Sequence, residues 1–266
     1  MGGMITATSR SSPPVAQVRS VRSLELRGPA GRLEAVLNEG SPDAAFAAVI
    51  AHPHPLGGGS LHNKVVYHAM KVMNAPDFGL GWPVLRFNFR GTGRSEGEHH
   101  GTSEAGDLLA ALTWLENEYK LPIVAAGFSF GAAITLQACC ANEPAIHRAF
   151  PGLKSETCGT PDRGPHGVRA LVAIGLPVRS GTGAAIYDYS FLAECRIPKL
   201  FLSGDKDRFA TKTELIEAAA RAAEPKHVAL VPGADHFFTG HQHAMQSVLA
   251  GWLREQVYDS GQRSRI

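Results

Sequence analysis

The sequence predicts an α/β fold: a mostly parallel, twisted sheet of about eight strands with helices on both faces and no cap domain. Three observations predict it. Short apolar runs of strand length alternate with helix-like runs along most of the chain, the pattern that builds a parallel sheet covered on both sides. Residues 44–51 are a continuous apolar run, as in a strand buried on both faces. Residues 123–126 run into Gly127-Phe128-Ser129-Phe130-Gly131 and then directly into a helix-like stretch, placing a serine at a sharp strand-to-helix turn.

In chain order, residues 1–19 are rich in Ser, Pro and Gly and poor in large apolar groups, which predicts a disordered leader. One domain is expected over 20–258, followed by a tail at 259–266. Residues 21–26 and 33–37 flank the turn cluster Gly28-Pro29-Ala30-Gly31 and read as an antiparallel hairpin. After the strand at 44–51, Asn63 is placed to cap a helix over 65–73. The next strand is 83–89. Residues 104–119 form an amphipathic helix with Leu108, Leu109, Leu112 and Leu115 on one stripe. The helix behind Ser129 ends near Ala141. Strands follow at 168–174, 199–203 and 227–231, with helices over 212–222 and 242–257.

Composition narrows the function. A chain of 266 residues that is 44% hydrophobic can bury one sizeable core. A formal net charge of +2 supplies no field for nucleic acid or anionic lipid. No stretch approaches the roughly 20 apolar residues of a membrane span, and the Ser/Thr/Pro-rich N-terminus is not a secretory signal. Cys139, Cys140, Cys158 and Cys195 lack paired metal spacing, and the adjacent pair on a helix reads as free buried thiols. A cytoplasmic, reduced protein is expected, either a monomer or a homodimer.

In such a sheet, ligands bind where strands end and helices begin. The loops at that edge carry His52-Pro53-His54-Pro55, Arg90-Gly91-Thr92-Gly93, Ser129, the residues from Tyr187 to Phe191, Asp205-Lys206-Asp207 and Asp235-His236. The Gly/Pro/charge-rich stretch 144–167 follows a helix and precedes a strand, so it belongs to the opposite edge and is not a lid.

A serine hydroxyl needs a base to remove its proton, and the base needs an acid to fix its tautomer. In this chain order the acid and then the histidine follow the serine. His236 stands at a late strand end and is the candidate base. Asp207, out on its loop, is preferred to Asp205 as the acid; Asp235 is too close to His236 to orient it. Phe130 N–H, at the head of the helix behind Ser129, is the first oxyanion donor. The second comes from the loop after residue 51, where Pro53 and Pro55 have no N–H. His54 is the first choice and Leu56 the second.

Competing readings exist for several of these groups. His52 and His54 alternate as zinc ligands can, but no Asp/Glu/His set at matching strand ends completes a site without dismantling the Ser129, Asp207 and His236 set, so no metal and no other cofactor is expected. The Arg90–Gly97 glycines have the wrong spacing for a dinucleotide loop and read as a tight loop packed beside the nucleophile turn. Leu56, Tyr187 and Tyr189 are candidate pocket residues, although the tyrosine cluster equally suits packing of its own loop.

With these residues identified, the chain resembles the α/β-hydrolase superfamily. More narrowly it is similar to compact, lidless bacterial serine hydrolases that carry the motifs found here at His52 to Gly59, Asn63 to Val66, Phe87 to Ser95 and Gly127 to Gly131. The similarity spans roughly residues 22 to 257. It implies an α/β-hydrolase fold, a triad of Ser129, Asp207 and His236, and esterase-type activity on a small-molecule ester. An acyltransferase, a peptidase, a dienelactone-type hydrolase or a non-catalytic binding module on the same scaffold are the rival expectations.

Overall fold

In the computed structural model, residues 20–101, 103–141, 164–179 and 187–263 are described, with side chains placed as far as Gln256. The expected leader, Cys158 and nearly all of the 144–167 stretch lie outside them. Among the described residues, eight strands form one sheet: β1 (Val21–Gly28), β2 (Gly31–Asn38), β3 (Ala47–Ala51), β4 (Val84–Phe87), β5 (Ile123–Phe128), β6 (Val168–Ile174), β7 (Lys199–Gly204) and β8 (Lys226–Val231). Five helices accompany them: α1 (Lys64–Asn74), α2 (Glu104–Tyr119), α3 (Phe130–Cys140), α4 (Lys212–Ala220) and α5 (Gln242–Arg263).

The strand order is β1-β2-β4-β3-β5-β6-β7-β8. The first hairpin turns tightly, with Gly28 paired to Gly31, and β2 runs antiparallel to both β1 and β4. All other pairs are parallel. Because β4 lies on one side of β3 and β5 on the other, the chain leaves β3 and β5 in opposite directions. That is a topological switch point, where a crevice opens at the C-terminal strand ends.

Side-chain alternation builds two cores, one on each face. Val49, Leu85, Ala125, Leu171 and Phe201 face the cluster that includes α2, α3 and α4. Ile50, Val84, Val124, Val172 and Leu200 face α1 and α5. Each fully buried Val, Leu or Ile contributes about 1.5–3 kcal/mol of transfer free energy, so the central strands are held from both sides. Asn63 caps α1 as its sequence position predicts, its Oδ1 accepting the Val65 N–H at 2.9 Å. Thr211 and Glu214 close a reciprocal capping box on α4.

Three expectations are corrected. β3 and β4 are shorter than the expected spans 44–51 and 83–89: Ala44, Phe46 and Phe89 pack on the cores from irregular chain beyond the strand ladders. α5 continues to Arg263, past the expected limit at 257 and into the expected tail. Cys140 is not a free thiol: it is bonded to Cys195, 55 residues away, with Cα atoms 5.3 Å apart. Cys139 is free and buried, as expected. No helix among the described residues is long and apolar enough to cross a membrane.

Candidate active site

Ser129 sits between β5 and α3 with φ 55° and ψ −121°, a conformation that costs a non-glycine residue about 1–3 kcal/mol. Its surroundings enforce it. The Ser129 N–H donates to the Ile174 carbonyl at 2.8 Å. A Cβ on Gly127 would collide with the Gly131 carbonyl, and one on Gly131 would collide with the carbonyls of Ala51 and His52. Both glycines are therefore required by close backbone approach, and the turn projects the Ser129 side chain to a partly exposed position.

The structure brings the three predicted residues together. Ser129 Oγ lies 2.9 Å from His236 Nε2, and His236 Nδ1 lies 2.7 Å from Asp207 Oδ2. The carboxylate can only accept, so the imidazole proton belongs on Nδ1 and Nε2 is left to accept from the serine hydroxyl. Asp207 is buried and further held by the Ser203 hydroxyl at 3.1 Å and the Phe209 N–H at 2.8 Å. The His236 ring is walled by Phe128, Phe209 and Phe237, with centroids 5.0, 4.4 and 5.1 Å away. Asp205 is elsewhere: its Oδ1 accepts the Gly233 N–H at 2.7 Å, tying the loop after β7 to the loop after β8. Asp235 folds its own turn by accepting from Thr239 and Phe237 N–H groups, which keep its carboxyl below the usual range.

On the other side of Ser129, the loop after β3 starts with a buried His52. The Phe89 N–H donates to His52 Nε2 at 3.0 Å, so the ring proton is on Nδ1, which donates to the Pro53 carbonyl at 2.6 Å. Burial pushes this imidazole down to about 4, and both nitrogens are occupied within the protein, which leaves none for a metal. His54 opens a short 3-10 turn, and its Nδ1 accepts the Leu56 N–H at 3.2 Å. That commits the Leu56 N–H to the His54 ring. The N–H groups of His54 and Phe130 have no acceptor among the described residues. Leu56 itself is 83% exposed.

The Arg90 loop is clamped on α2. The Arg90 backbone N–H and guanidinium all donate to the buried Asp107, with the shortest contact at 2.7 Å. Of the two tyrosines, Tyr189 is a core residue whose hydroxyl is spent on the Pro177 carbonyl at 2.6 Å, and Tyr187 stacks on it. Packing of their own loop, rather than a wall offered to a ligand, is what Tyr189 provides. His99 and Glu104 escape a motif search. The buried stripe of α2, followed back from Leu112 and Leu108 by helical steps of four, arrives at Glu104, which is the signal that its side chain turns inward.

A serine at a strained strand-to-helix turn, with an imidazole and a carboxylate delivered by two later strand ends of a mostly parallel sheet, defines the α/β-hydrolase class. Sequence and structural comparison agree. The profile of the alpha/beta hydrolase family matches residues 48–248, and the chain belongs to that family. An uncharacterised protein of Rickettsia prowazekii is 34% identical over 219 residues, which cover 79% of each chain. A Xanthomonas campestris protein described as an a/b serine hydrolase without lid superposes with a TM-score of 0.66 at 26% identity, covering 91% of this chain and 97% of that one. A putative alpha/beta hydrolase of Agrobacterium tumefaciens gives 0.71 at 28% identity, over 90% and 97% of the two chains.

Proposed function

We propose that this protein is a serine carboxylesterase that hydrolyses small or short-chain acyl esters through an acyl-enzyme. The observation that carries the reading is the unbroken chain Ser129 Oγ–His236 Nε2 at 2.9 Å and His236 Nδ1–Asp207 Oδ2 at 2.7 Å. His236 takes the hydroxyl proton as Ser129 Oγ bonds to the ester carbonyl carbon, and Asp207 stabilises the imidazolium. The carbonyl oxygen, now an anion, is held by the N–H groups of Phe130 and His54, neither of which has an acceptor among the described residues. His236 returns its proton to the departing alcohol. Water then repeats the sequence against the acyl-enzyme and frees the acid.

The partly exposed Ser129 and the exposed apolar side chains of Leu56 and Phe237, on the loops after β3 and β8, favour substrates that need no deep tunnel. The test is hydrolysis of chromogenic acetate and butyrate esters, compared with a long-chain ester. Ser129→Ala is expected to lower kcat by at least about 10⁴-fold, because it removes the hydroxyl that His236 activates. Equal rates for the two proteins would remove Ser129 from the chemistry.

A further inference from the structure

Beside the nucleophile turn, three rings pack against one another. The His99 ring meets His54 edge-on at 4.7 Å and Phe130 edge-on at 5.4 Å, while His54 and Phe130 lie 5.0 Å apart. The two neighbours of His99 are the residues whose backbone N–H groups are assigned to the oxyanion. Beneath His99 lies Glu104, the first residue of α2, completely buried. Its Oε1 is 2.7 Å from His99 Nδ1, a close electrostatic contact rather than an aligned hydrogen bond. The same oxygen accepts the N–H groups of His100 and Gly101 at 2.8 and 3.1 Å. Burial pushes the Glu104 carboxyl up, but those N–H groups, its own N–H and the neighbouring His99 outweigh it and keep it below its ordinary value. A buried carboxylate that accepts the backbone N–H groups of the two residues following a ring and touches the ring itself fixes that ring in place.

We propose that Glu104 and His99 are positioning residues for the oxyanion site: Glu104 seats His99, and the His99 ring wedges His54 and Phe130 into register. The inference rests on the esterase reading above and extends it to two side chains that meet the reacting atoms only through others. Oxyanion donors act only when aimed at the developing charge, and a misplacement near 1 Å costs on the order of 100-fold in rate. The wedge therefore governs kcat rather than ground-state binding.

The experiment measures kcat and KM on the acetate ester, together with thermal unfolding, for wild type, His99→Ala, His99→Gln and the double variant His99→Phe/Glu104→Gln. Loss of the ring in His99→Ala and His99→Gln is expected to lower kcat per folded molecule about 10- to 100-fold while KM changes little. The double variant, which restores an aromatic wedge and removes the carboxylate charge it would otherwise strand, is expected to regain most of the lost kcat. Unchanged kcat in His99→Ala overturns the proposal, and so does a loss that merely follows the fraction of folded protein. If the wild-type enzyme neither hydrolyses esters nor is labelled at Ser129 by a fluorophosphonate, the functional reading itself fails and takes this proposal with it. Activity dependent on Ser129 but indifferent to His99 rejects the proposal alone.

Discussion

His52 shows how much one buried side chain can contribute to the loop that carries His54, the proposed oxyanion donor. Its two nitrogens join the loop after β3 to the chain after β4, through the Phe89 N–H and the Pro53 carbonyl, and its ring packs on Phe89 at 4.8 Å. The ring is neutral because burial holds its pKa down to about 4, against an ordinary 6.5. Between those two values the unfolded chain takes up a proton that the native ring refuses. Stability is therefore fully present above about pH 6.5 and is lost as the pH falls towards 4, by roughly 3 kcal/mol over the window. Urea unfolding of wild type and His52→Asn across pH 4 to 7 tests this: the wild-type stability is expected to fall more steeply on acidification, and parallel curves would refute it. Ser129 and His236 were legible from motif and chain order alone. The preference for Asp207 over Asp205 turns on where a two-residue difference along one loop points a carboxylate: Asp207 meets His236 Nδ1, and Asp205 accepts the Gly233 N–H instead.

At the scale of elements, the α3 helix that begins at Ser129 is anchored at its far end by the bond from Cys140 to Cys195. Cys195 follows the short 3-10 turn Ser190–Ala193, just ahead of β7, the strand that delivers Asp207. The bond therefore ties the serine-bearing helix to the segment leading into the acid-bearing strand. For a sequence separation of 55, closing the loop in the unfolded chain contributes about 4 kcal/mol in the chain-entropy picture. Cys140→Ser is expected to lower the unfolding free energy by about that amount, and peptide mapping without reductant is expected to recover the two cysteines linked. Wild-type stability in Cys140→Ser would refute the contribution. Nothing in local sequence announces this pairing, because adjacency at 139 and 140 speaks only of a shared helix while the partner is brought in by the sheet. Strand and helix identities were legible because their periodicities differ; strand ends were not, since an apolar run continues past the last ladder hydrogen bond when its side chains still pack.

Across the whole molecule, the site draws its parts from regions of unequal support. β3, β5 and the following β6 lie mid-sheet with nearly every residue buried, and Ser129 extends directly from β5. β1 is an exposed edge, and β8, which delivers His236, is the opposite edge with most of its residues only partly buried. Opening an edge strand exposes less apolar surface than opening a central one, so its free energy lies below that of global unfolding. Amides of β5 are therefore expected to exchange at least about 100-fold more slowly than those of β8 and β1 under native conditions. The link between Ser129 and His236 bridges the two regimes, with the serine on the resistant side and the imidazole on the yielding side. Raising urea should accordingly abolish esterase activity at the concentration where β8 amides lose protection, before β5 amides do. Hydrogen exchange measured alongside activity checks both statements. Activity that persists until β5 itself opens would show that the base is held as firmly as the serine, and that the edge strand is not the weak point of the site.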